Sequence, residues 1–193
     1  MSQVSVIDAP ASDAPAPGRT RVWDLPVRVV HWSLVAAVAT AIVSGEVGGP
    51  WMALHGRAGL AIVGLVAFRL VWGVLGSTHA RFASFAPTPR RIADYLRGRW
   101  RGVGHNPLGA LSVLALLGLL AAQAVSGLFG NDDIAFNGPL FRFVSDDVSA
   151  WFTGWHRRLA NVLIAFVVLH LVAIVIHGRV RWPWSASRSR PWA

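Results

Sequence analysis

The chain contains no cysteine and no lysine, and only 14% of its 193 residues are charged. Without cysteine there can be no disulfide, no thiolate-held zinc or iron–sulfur cluster and no thioether-attached c-type haem, so any tightly bound metal must use other ligands. Without lysine, all eighteen basic residues are arginine, a bias that a GC-rich genome explains without any functional argument. Carboxylates are scarcer still where they would matter most. None lies inside the long hydrophobic runs, and Glu46 stands at the end of one. A histidine-lined metal-ion or proton transporter would want intramembrane carboxylates, so this reading starts at a disadvantage.

Hydrophobic residues make up 54% of the chain, too many for an ordinary soluble domain of this length. An integral membrane protein is expected. The net charge of +9 could suggest nucleic acid as a partner, but the arginines gather at the ends of the apolar runs, where membrane topology accounts for them. No nucleic-acid role is assigned, and the expected solvent of the folded chain is the lipid bilayer.

Residues 1–20 are rich in Ala, Pro, Ser and Asp, lack helical periodicity, and lack the basic-then-apolar order of a cleavable leader. They read as a disordered cytoplasmic tail. Four apolar runs follow, at about 29–45, 54–75, 107–129 and 155–176, each long enough to cross a bilayer as a helix. The second and third are separated by Arg81, Arg90, Arg91, Arg97, Arg99 and Arg101 against a single Asp94. Between the third and fourth lie Asp132, Asp133, Asp146 and Asp147 with only Arg142, and Arg179, Arg181, Arg188 and Arg190 follow the fourth. Arginine excess marks the cytoplasmic side, which predicts an all-α, up-down-up-down four-helix transmembrane bundle over 21–179 with both termini cytoplasmic and a basic tail over 180–193. Within the basic link, Ile92, Tyr95, Leu96 and Trp100 fall at helical spacing opposite the arginines, the pattern of an amphipathic interfacial helix. No internal repeat is evident.

Histidines carry the chemistry. The predicted topology gives each a depth: His31 starts the first helix on the cytoplasmic side, His55 and His156 start the second and fourth on the outer side, and His170 lies deeper along the fourth. Fourteen residues separate His156 from His170, nearly four helical turns, so both rings leave one face about 21 Å apart. One lone histidine would be compatible with a satisfied structural residue. Four that pair by depth, His55 with His156 and His31 with His170, form two axial sets for a flat iron macrocycle in a bundle core. Two non-covalent, bis-histidine haems b are therefore expected. His177, one heptad after His170, is the alternative inner ligand, but it would separate the stations by about 31 Å and push one macrocycle into the headgroups.

Other residues extend these sites. Gly45, fourteen residues after His31, and Gly59, four after His55, leave room where a macrocycle would need it. Arg69, within the second run, could pair with a haem propionate at the inner station, as could Arg57, Arg157 and Arg158 at the outer one. His105, at the entry to the third run, could reach a quinone head group. Bis-histidine ligation leaves no open iron position, which favours electron carriage over oxygen activation.

Several segments also resemble a known family. They are Val22-Trp23-Asp24-Leu25-Pro26-Val27-Arg28 with His31-Trp32, Phe68-Arg69-Leu70-Val71-Trp72-Gly73, Gly104-His105-Asn106-Pro107-Leu108-Gly109, and the closing pair His156 and His170. Together these look like the bacterial cytochrome b561 family, which is similar to the b-type cytochrome subunit of nickel–iron hydrogenases. The resemblance covers about residues 21–179. It implies a four-helix, di-haem b protein of the inner membrane that exchanges electrons with the quinone pool, its axial ligands falling on His31, His55, His156 and His170. It also implies a periplasmic partner, either a c-type cytochrome or a redox enzyme that the protein anchors; a homodimer is a further expectation. Arg57, Arg157 and Arg158 make the outer end more basic than in many relatives.

Overall fold

The computed structural model describes residues 25–78, 80–99, 107–134 and 136–185, with side chains as far as 176. Six α-helices run in the order α1 (Leu25–Val47), α2 (Met52–Leu75), α3 (Phe82–Phe85), α4 (Pro89–Leu96), α5 (Pro107–Phe129) and α6 (Asp146–Ser185). Four of them, α1, α2, α5 and α6, are long and apolar enough to cross a membrane. In hydrocarbon every backbone N–H and C=O must find a partner within the protein, and a helix supplies those partners from its own segment. Among the described residues there is no β-strand, only an isolated bridge between Asn131 and Asn137.

The bundle is two helical hairpins closed in different ways. Gly48 and Gly49 take φ values of 67° and 55°, a left-handed conformation that costs a glycine little, and Pro50 then opens a single 3-10 turn into α2. Residues 130–134 and 136–145, in contrast, belong to a longer loop that folds back over the end of α5. Asp132 Oδ1 accepts from the backbone N–H of Ile134 and Phe136 at 3.0 and 2.8 Å, and the N–H of Leu140 and Gly138 bond the carbonyls of Leu128 and Gly130. These bonds supply acceptors and donors that a helix terminus otherwise lacks.

α6 starts at Asp146, nine residues before the apolar run that begins at Trp155. Apolarity marks lipid contact, whereas helix continuity is set by local bonding: Asp146 and Asp147 sit in the first turn, where negative charge favours a helix N-terminus. His156 therefore lies in the third turn of its helix, not at its start. The stretch Asp146–Ile176 has 31 residues and is about 46 Å long, well beyond a hydrocarbon layer of about 30 Å.

α1 packs on α2, α5 packs on α6, and the two hairpins join along α2 and α5. Ile62, Val66 and Leu117 form the buried centre, with Leu34, Ala37, Val38 and Ala41 of α1 and Leu120, Ala121 and Ala124 of α5 against it. Small residues on the facing stripes let the backbones approach. The apolar core thus belongs to α1, α2 and α5, while α6 is held mainly by α5 and buries Leu163. Over the basic link, Thr88 caps α4 by accepting from the Arg91 N–H at 3.4 Å, and α4 rests on α5. The amphipathic pattern of 89–101 is thus helical for 89–96, with Ile92 and Tyr95 half-buried; residues 100–106 and the tails at 1–24 and 186–193 lie outside the described residues.

Ser149 ties α6 to α5. Its side chain is fully buried and its hydroxyl donates to the Phe129 carbonyl at 2.8 Å, while Thr153, one turn on, exchanges bonds with the backbone of Asn131. Removing the hydroxyl strands a buried carbonyl, so Ser149→Ala is expected to cost about 1–3 kcal/mol, measured as a lowered midpoint in thermal unfolding of the detergent-solubilised protein.

Candidate histidine centre

Two of the predicted ligands come together at the end of the bundle where α1 meets α2. His55 of α2 and His156 of α6 have ring centroids 5.9 Å apart and planes inclined at 84°. Each ring is anchored by its Nδ1. His55 Nδ1 lies 2.8 Å from the carbonyl oxygen of Ala41 on α1, and His156 Nδ1 lies 3.0 Å from that of Gln123 on α5. A carbonyl can only accept, so in both rings Nδ1 carries the proton and Nε2 keeps its lone pair. That is the tautomer a metal-ligating imidazole needs. The amide Nε2 of Gln123, 3.1 Å from His156 Nε2, is placed to donate to this lone pair.

These features fit an iron porphyrin held between the two rings. Gln123 Oε1 is buried without a hydrogen-bond partner among the described residues, a polar atom inside an apolar bundle. Space is present as well: a Cβ added to Gly59 would meet nothing within 4 Å.

The second pair stands toward the other end. His31 lies ten residues before Ala41 on α1, about 15 Å along the axis, and His170 lies fourteen residues after His156 on α6. His31 meets Trp32 edge-on, with centroids 5.6 Å apart. Among the described residues no group of three or more His, Asp or Glu forms an ion site; the histidines come in twos. The side chain of His177 and the whole of His79 and His105 lie outside the described residues.

The remaining predicted residues are distributed unevenly. Gly45 does make room, but for the imidazole of His55 rather than for a macrocycle: a Cβ there would stand 2.9 Å from His55 Nδ1. Arg57 and Arg157 are exposed, and the guanidinium of Arg158 lies over the Trp155 ring at 5.4 Å. Arg69 is half-buried, its guanidinium 4.7 Å from the centre of the Phe82 ring, an arrangement that stabilises a cation away from water. Three contributors were missed from sequence: Gln123, Ser126 and Phe136. Gln123 was the most legible, being the one long polar side chain in the apolar run of α5, where such groups are costly.

Phe136 closes the site from the loop. Its ring lies against Gly56, beside His55, so closely that a Cβ on Gly56 would stand 2.6 Å from Phe136 Cε2. Phe136→Ala is expected to loosen the 130–145 loop over the His55 end of α2, seen as faster amide hydrogen exchange there and in the first turns of α2, with the rest of the bundle unchanged.

A helical membrane protein with four apolar spans, whose interior carries imidazoles paired from separate helices, has the architecture of a b-type membrane cytochrome. Comparison with known proteins places it more closely. Residues 22–188 match the family model described as prokaryotic cytochrome b561, and the chain belongs to that family, transmembrane haem b electron carriers. It is also similar to a probable Ni/Fe-hydrogenase B-type cytochrome subunit of Bradyrhizobium diazoefficiens, with 26% identity over 214 aligned positions covering 89% of this chain and 85% of the relative. No solved structure matches it.

Proposed function

We propose that the chain is a di-haem electron carrier of the bacterial inner membrane, with His55 and His156 as axial ligands at one station and His31 and His170 at the other. The reading rests above all on one observation: imidazoles from α2 and α6 meet with both Nδ1 atoms tied to carbonyls, so that Nε2 is the lone-pair nitrogen of each ring, the one on His156 facing the Gln123 amide at 3.1 Å. Haem b, when bound, supplies a one-electron redox centre in a low-dielectric interior. The ring nitrogens of each histidine pair would hold it, and apolar helix faces would shield it.

Charge asymmetry supports the orientation. Arg81, Arg90, Arg91, Arg97 and Arg99 lie on the link between α2 and α5, and Asp132, Asp133, Asp146 and Asp147 lie on or beside the loop between α5 and α6. The arginine-rich end faces the cytoplasm and the aspartate-rich end the periplasm. The His55–His156 station is then the periplasmic one, and the His31–His170 station lies in the cytoplasmic half. Arg57, Arg157 and Arg69 are suited to neutralise propionates near their respective ends, and electrons pass between a quinone, with His105 as one contact, and a periplasmic partner. The similarity to a hydrogenase cytochrome subunit favours a second version of the same role, in which the protein anchors a periplasmic redox enzyme and takes its electrons directly.

Substitution tests the ligand set. His156→Ala and His170→Ala are each expected to lose one of two haem equivalents in a pyridine haemochrome assay, and the double variant both. Unchanged haem content in both single variants would remove the proposal, and loss of the second haem on His177→Ala instead of His170→Ala would move the inner ligand to His177. Co-purification with a redox enzyme separates the anchoring version from a free-standing quinone oxidoreductase.

A further inference from the structure

The two anchoring carbonyls occur in the same local sequence. Residues 41–45 of α1 read Ala-Ile-Val-Ser-Gly, and residues 123–127 of α5 read Gln-Ala-Val-Ser-Gly. In each, the first residue offers its carbonyl to a histidine of the next membrane-spanning helix, the fourth is a buried serine, and the fifth is a glycine lying against the imidazole. Ser44 Oγ lies 3.3 Å from the Ala41 oxygen and donates to the Thr40 carbonyl at 2.6 Å. Ser126 Oγ donates to the Gln123 oxygen at 2.9 Å and lies 3.1 Å from His156 Nδ1. Both serines are almost completely buried, at 1% and 4% exposure.

Helix geometry says what each part does. In a regular helix the carbonyl of residue i already accepts from the N–H of residue i+4, and only its second lone pair is left. A ring from a neighbouring helix can reach that lone pair only across the i+4 position, which must then carry no side chain. A Cβ on Gly45 would stand 2.9 Å from His55 Nδ1, and one on Gly127 2.9 Å from His156 Cε1. Serine at i+3, bonding back into its own turn, bends the helix slightly and satisfies its hydroxyl without water.

Resting on the haem reading above, we infer that Ser44–Gly45 and Ser126–Gly127 are a matched pair of positioning clamps. Each fixes one histidine of the His55–His156 pair on a backbone carbonyl in the Nε2-ligating tautomer, so that the two hairpins present equivalent ligands to one shared iron. The halves differ in two respects: Gln123 brings an amide to His156, whereas Ala41 has none to bring to His55, and Ser126 donates to the anchoring carbonyl itself, whereas Ser44 donates to the Thr40 carbonyl beside it.

The test uses the purified full-length protein, with haem stoichiometry, redox titration and low-spin ferric EPR as readouts. Gly45→Ala and Gly127→Ala are each expected to lose one of two haem equivalents, and the double variant only that same one, since both clamps serve a single station. Gly64→Ala and Gly118→Ala, where an added Cβ meets nothing within 4 Å, retain both. Ser44→Ala and Ser126→Ala remove a hydroxyl and no packing. Both are expected to keep both haems; Ser126→Ala also lowers one midpoint potential and moves one EPR signal, because the Gln123 carbonyl freed of the serine accepts more strongly from Nδ1–H and makes the ligand more basic, and Ser126→Thr restores both. A wild-type protein without two bis-histidine signals overturns the haem reading, and this inference with it. Two normal signals that no clamp variant moves, or loss of both haems in a folded Gly45→Ala/Gly127→Ala variant, overturn this inference alone.

Discussion

An imidazole enclosed in a lipid-embedded bundle must put its N–H on an acceptor, since leaving it unpaired costs about 1–3 kcal/mol or more. Water cannot be counted on there, and the spans carry no carboxylate. What remains is the second lone pair of a helix carbonyl, normally hidden beneath the side chain one turn on. Ala41 and Gln123 offer that lone pair because Gly45 and Gly127 leave it uncovered. The consequence is chemical as well as structural: with the proton fixed on Nδ1, each ring can present only Nε2 to a metal. Satisfying the backbone environment and selecting the ligand atom are the same event.

The packing follows from the same division of labour. α1, α2 and α5 share an apolar centre at Ile62, Val66 and Leu117 with alanines on the facing stripes, a close fit that needs small residues because lipid supplies no hydrophobic drive between helices. α6 stands apart from that centre and is fastened to α5 and the loop after it through Ser149, Thr153, the His156 bonds and the stacking of Phe152 on Phe129. It is the helix that carries one member of each histidine pair.

Much of this was legible in the sequence, for identifiable reasons. Long apolar runs without carboxylates admit one structure in lipid, so the four spans and the all-helical class follow directly. The start of α6 was not legible, because Asp146 to Gly154 is polar enough to resemble a loop while its first-turn aspartates favour a helix. The absence of a side chain at Gly45 is legible, whereas its neighbour, the His55 imidazole, is fixed by the packing of α1 on α2. The repeated Val-Ser-Gly was invisible as a repeat: it is three common residues, and its partner histidines follow Gly45 by ten residues but Gly127 by twenty-nine, so no fixed period exists. Equivalence between the halves is a matter of hydrogen bonds, and spacing does not encode it.

That unequal spacing has its own explanation in how each hairpin is closed. The Gly-Gly-Pro turn returns the chain at once, so His55 sits in the first turn of α2. The 130–145 loop delays the return, and α6 begins about three turns beyond the histidine it delivers. To bring His156 level with His55, the second hairpin must run past the first, and its loop then overhangs the end of α2. Phe136 fills the overhang by resting on Gly56. The longer connection therefore does what a tight turn could not: it places an aromatic ring on the first turns of α2, next to the residue that carries the His55 imidazole. The two halves supply equivalent ligands, and their different closures bring them level.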